Sequence, residues 1–177
     1  MFDIIVTEEQ ISYAKELVAG NNFGNRGIGD GSPEEQLTGM IGQTVFADLI
    51  SAPRPVARKK HAGWYDFTVN GKKVHIKTMT RSVPLMQDYV HNFIAFQKDY
   101  EVDFYVFASF NKKSNILTIG GCISKEGFDR LAVFYPAGTQ RFRDDGSSFV
   151  NITPNYEIKQ SLLRQVYSPI SLLEMLK

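Results

Sequence analysis

An α/β domain is the fold class that three features of the chain predict. Asn70-Gly71 sits between two runs rich in β-branched and aromatic residues, a strong hairpin signal. The run 103–110 is nearly all apolar, as in a strand covered on both faces. Stretches of helical periodicity stand on either side of both. At 177 residues the chain favours one domain over 1–177, and no repeat or linker interrupts it. Hydrophobic residues make up 43% and charged residues 22%, which rules out disorder and coiled coil as the main content.

Thr7 and Gln10 form a capping box, and Ile11, Ala14, Leu17 and Val18 recur at helical spacing up to Gly20. Five glycines (20, 24, 27, 29, 31) then read as a loop, without the Lys-Ser/Thr ending of a phosphate loop. Ser32 and Pro33 open a second helix, predicted over 33–51, apolar around most of its circumference. Pro53 and Pro55 end it. Arg54, Arg58, Lys59, Lys60 and His61 follow as the densest basic stretch, either a solvated loop or a clamp for backbone phosphates. The hairpin covers 64–78. The spacing of Met86, Tyr89, Val90, Phe93 and Ile94 predicts a helix over 85–98, and Gln97-Lys98-Asp99-Tyr100 reads as its end. Strands follow over 103–110 and 116–123. A helix capped by Ser124 then reaches about 133. Short strands and turns come next, including Asp144-Asp145-Gly146 and a strand near Tyr156-Glu157-Ile158, and Ser168-Pro169 opens a final helix.

Charge and cysteine content narrow the function classes. Twenty Lys plus Arg against nineteen Asp plus Glu leave a net charge of +1, so nucleic-acid binding requires a local basic patch. Cys122 is the single cysteine and reads as a core thiol, so neither a disulfide nor a cysteine-rich zinc site is available. His61 and His91 lack metal-ligand spacing to one another, and there is no Gly-X-Ser-X-Gly elbow. The N-terminal residues carry no basic leader, and no apolar run approaches 18 residues. The expectation is therefore a cytoplasmic protein with no membrane partner.

The hairpin has a geometric consequence. A two-residue turn at 70 and 71 pairs Phe67 with Val74 and Asp66 with His75. Because side chains alternate, Phe67, Val69, Val74 and Ile76 make a core face, while Asp66, His75 and Lys77 share the other. A carboxylate and an imidazole then stand about 5 Å apart at Cβ, with an amine diagonal to both. The bland reading is a cross-strand Asp–His pair beside an exposed lysine. Thr78 and Arg81 extend the polar lip, which suits phosphate.

Asp66, the short hairpin and Val74-His75-Ile76-Lys77-Thr78 resemble the motif of the PD-(D/E)XK nuclease superfamily. That motif has an Asp, then an acidic residue, any residue and Lys one hairpin later. The helix with Gly39, Gly42-Gln43, Ala47 and Leu49 looks like that family's first core helix, with Gln43 where a Glu is usual. The segments up to 133 follow the family order, so the resemblance covers roughly 33–135. It implies a restriction-endonuclease-like core, a central mixed β-sheet flanked by helices. It also implies metal-dependent DNA phosphodiester hydrolysis, by an endonuclease of restriction or phage-defence type. Asp66, His75 and the Ile76 carbonyl would hold a divalent ion (Mg²⁺ or Mn²⁺), Gln43 a ligand or water, and Lys77 would act near the attacking water. Arg54, Arg58, Lys59, Lys60, Thr78 and Arg81 would meet DNA phosphates, and double-strand cutting would suggest a homodimer.

His75 stands where the family has an acid, so imidazole would favour Mn²⁺ or a later metal over Mg²⁺. Glu35 and Asp48 lie on other sides of the helix from Gln43, and Asp30 could supply an acid from the glycine loop. The competing expectation is a catalytically inactive DNA-binding or structural protein that keeps the nuclease fold.

Overall fold

The computed structural model describes residues 1–23, 31–57, 65–142 and 146–177. Asp30, Arg58, Lys59, Lys60, His61, Trp64 and the Asp144-Asp145 turn lie outside the described residues. The chain runs β1 (Phe2–Ile5), α1 (Glu8–Ala19), α2 (Pro33–Leu49), β2 (Phe67–Val69), β3 (Lys72–Arg81) and β4 (Val90–Ile94). A 3₁₀ helix (Ala95–Asp99) leads to β5 (Phe104–Asn111), β6 (Ile116–Ser124), α3 (Lys125–Leu131) and β7 (Val133–Tyr135). Then come β8 (Gln140–Phe142), β9 (Ser148–Val150), β10 (Asn155–Lys159) and α4 (Pro169–Met175). The architecture is mixed α/β.

Local chemistry sets the helix starts. Thr7 and Gln10 close the capping box on α1, and Ser32 and Glu35 close a second on α2, with Pro33 in its first turn. The main sheet has the order β1-β6-β5-β3-β2, with β3 and β5 parallel and the other pairs antiparallel. A second sheet has the order β4-β10-β7, and β8 pairs with β9.

Both faces of the main sheet are covered. On one, Met40, Ile41, Val45 and Phe46 of α2 pack on Val74, Ile76, Val106 and Ala108. On the other, Phe93, Phe128 and Ile158 pack on Tyr105, Phe107 and Ile123. This explains the all-apolar β5: its alternate residues feed two separate cores. Gly120 is the extra residue of a bulge in β6, where Phe107 faces Gly121 and Ala108 faces Ile119. That bulge turns Cys122 onto the same face as Ile119, where it is buried.

Two expectations need correction. Residues 85–98 do not form an α-helix: Val90–Ile94 is a strand and Ala95–Asp99 a 3₁₀ helix. The apolar residues there satisfy both periods, but His91 and Phe93 are buried while Asn92 is exposed, the period-2 pattern of a strand. The helix after Ser124 ends at Leu131, and Val133 already belongs to β7. Phe2–Ile5, for which no element was expected, is an edge strand paired with β6. No helix among the described residues is long and apolar enough to cross a membrane.

Candidate active site

The turn at Asn70-Gly71 has positive φ at both residues, 50° and 77°. It fixes the register expected, with Phe67 opposite Val74 and Val69 opposite Lys72. Phe67, Val69, Val74 and Ile76 are all buried in the core beneath α2, so His75 and Lys77 project from the other face of β3. That other face is covered as well. Phe93 of β4 and the 3₁₀ helix lie over it, His75 is buried, and Tyr100 and Tyr105 meet the imidazole edge-on at 5.8 and 6.3 Å between ring centroids.

Asp66 is the hub. β2 begins one residue after it, with Phe67 opposite Val74, while β3 runs on to Arg81, so the carboxylate sits beside the stretch of β3 that β2 leaves unpaired. Its Oδ2 accepts from the Ile76 backbone N–H at 2.8 Å and lies 2.8 Å from His75 Nδ1. Its Oδ1 accepts from Gln43 Nε2 of α2 at 3.0 Å. Burial alone would raise the Asp66 pKa. The charge and hydrogen bond of His75, the Ile76 N–H and the nearby Lys77 outweigh it and hold the carboxyl below its ordinary value. The side chains of Asp66 and His75 remain 14% and 10% exposed, but both imidazole nitrogens are buried. Helix α2, the turn before β2 and strand β3 thus bring Gln43, Asp66, His75 and Ile76 together.

Lys77 joins them from the covered face. Its Nζ donates to Gln97 Oε1 and lies 5.0 Å from the Phe93 ring centroid. Gln97 is fully buried and Tyr100 caps the 3₁₀ helix, so the segment 97–100 is a helix end as expected, of the tighter kind. The role of Gln97 was missed. The available signal was a glutamine in the connection between two parallel strands, a segment that must cross the sheet.

Of the expected phosphate contacts, Arg54, Thr78 and Arg81 are described, and each is engaged within the fold. Arg54 donates to Glu9 at 2.5 and 2.8 Å and to Asp48 at 2.7 Å, and stacks over Tyr13. It latches α1 to the end of α2. Arg81 donates to the Val90 carbonyl at 2.8 Å and lies over Tyr89. The Thr78 hydroxyl is buried against α2, where an added Cβ at Gly42 would come within 1.8 Å of it.

Among the described residues no group of three or more His, Cys, Asp or Glu could hold a metal ion. Asp66, His75 and the Ile76 carbonyl offer one carboxylate, one imidazole and one neutral oxygen. A divalent ion bound to that set would keep most of its water, and the nitrogen would suit Mn²⁺ better than Mg²⁺. No protein-family model, curated protein or solved structure matches the chain.

Proposed function

We propose that this corner hydrolyses phosphodiester bonds of DNA with a divalent ion, as a divergent PD-(D/E)XK-like endonuclease. The observation that carries the reading is the convergence of Gln43, Asp66, His75 and Lys77 at one partly open strand edge. The resemblance assigns chemistry to the same four positions. Asp66, His75 and the Ile76 carbonyl would hold the ion. What such an ion supplies when bound is neutralisation of phosphate charge and a more acidic water.

The chain's own groups divide the remaining work. Gln43 orients the Asp66 carboxylate through its amide, as does the Ile76 N–H. Lys77 contributes positive charge beside the carboxylate, where charge develops on the phosphoryl oxygens in the transition state. The aromatic wall of Phe93, Tyr100 and Tyr105 limits the solvent around these groups.

One observation favours a second reading, an inactive DNA-binding protein. Both oxygens of Asp66 already have protein nitrogens at hydrogen-bonding distance, an arrangement that is stable without an ion. Incubating the protein with supercoiled plasmid and Mg²⁺ or Mn²⁺ separates the two. Nicking or linearisation is the expected result. Gel retardation at low salt without cutting supports the second reading, and neither cutting nor retardation overturns both.

A further inference from the structure

Gln97 is completely buried, yet only one end of its amide is used. Oε1 accepts from the Lys77 ammonium, while Nε2 has no hydrogen-bond partner among the described residues. A glutamine retained for packing would not leave a buried donor unmatched, and an apolar residue would fill the space without that cost. Flipping the amide would aim N–H donors at the ammonium, so the lysine fixes the amide's orientation.

The scaffold around Gln97 is tied down on several sides. The Ala95 N–H donates to the Pro154 carbonyl at 3.0 Å, and the Tyr100 N–H donates to the Gln97 carbonyl at 3.3 Å. Lys125 Nζ donates to the Lys98 carbonyl. Lys77, in contrast, carries its amine on a flexible four-carbon stem and needs a fixed acceptor to hold one position. Phe93 of the same crossover segment lies beneath the amine, so the link between the two parallel strands supplies both contacts.

We propose that Gln97 is a positioning residue, whose amide oxygen holds the Lys77 ammonium beside Asp66 and His75. It acts through Lys77 and touches neither substrate nor ion. The inference rests on the hydrolytic reading for its consequence in catalysis, but its physical content can be tested without any cleavage.

The test is ¹⁵N NMR of the lysine ammonium groups at one fixed pH, with the Lys77 signal assigned by Lys77→Arg. In the wild type the Lys77 ammonium should be ordered, and its protons should exchange with water about tenfold more slowly than those of exposed Lys113. Gln97→Leu should abolish the difference, and Gln97→Glu, which keeps an oxygen acceptor, should preserve it. Gln97→Met is a second variant without an acceptor, should the leucine protein not fold. A wild-type Lys77 as mobile as Lys113, or one unaffected by loss of the acceptor, overturns the proposal. Where the wild type cuts DNA, Gln97→Leu should lower kcat at least tenfold with little change in KM. A protein that cuts nothing yet shows the ordered, Gln97-dependent ammonium refutes the hydrolytic reading and leaves the positioning role standing.

Discussion

The imidazole of His75 lies 2.8 Å from a carboxylate where the nuclease pattern puts a second acid. In the wild type the contact is favourable as it stands. An aspartate at 75 would set two carboxylates against each other in a mostly buried corner, destabilising it until a cation intervenes. His75→Asp should therefore lose roughly 2 kcal/mol of stability in EDTA and recover much of it in millimolar Mg²⁺ or Mn²⁺. Denaturant melts with and without metal check this, and a variant indifferent to metal contradicts the assignment of this corner. Much of it is legible in the residues themselves, because the Asn-Gly turn dictates which side chains oppose which. Gln97 is not, since its partner lies 20 positions away and only the folded crossover brings the two together.

Helix α2 and strand β3 must approach closely for Gln43 to reach Asp66. Gly42 permits it: an added Cβ would stand 1.8 Å from Thr78 Oγ1 and 2.7 Å from Thr78 Cβ. One turn earlier, the hydroxyls of Thr38 and Thr80 meet at 2.6 Å. Gly42→Ala should push the helix away, cost about 1–3 kcal/mol by overpacking, and weaken any cleavage by parting Gln43 from Asp66. A neutral effect on denaturant midpoint and activity would show that the approach is not required. The capping boxes, the hairpin and the doubly covered β5 could be read from local chemistry. The strand Val90–Ile94 could not, because its apolar residues fit a helical stripe as well as an alternating one, and tertiary packing on Phe107 and Tyr105 decides the matter.

The two cores meet at the main sheet, and the outer one encloses a histidine. His91 is completely buried, its Nε2 lies 2.8 Å from Gln160 Oε1, and its ring packs on Phe107. Burial pushes its pKa from 6.5 down to about 4. The contact with Gln160 opposes that shift, and the charge of Arg81 adds to it. Between those values the unfolded chain binds a proton that the folded one does not. The stability is therefore complete above about pH 6.5 and falls as the pH drops towards 4, by roughly 3 kcal/mol. Asp66, whose carboxyl is held low, has the same sign at still lower pH. His91→Gln should flatten the decline between pH 6.5 and 4 in urea melts, and an unchanged slope would contradict the account of the outer core. With a net charge of +1 and with Arg54 and Arg81 engaged within the fold, the proposed DNA contact would fall to local groups rather than to a general basic surface. The most direct test of the central claim is the rate of plasmid cleavage in Mn²⁺ by the wild type and by Lys77→Ala, at matched folding. The account predicts cleavage by the wild type and a loss of about a hundredfold or more in the variant; equal rates, or a wild type that cuts nothing, would contradict it.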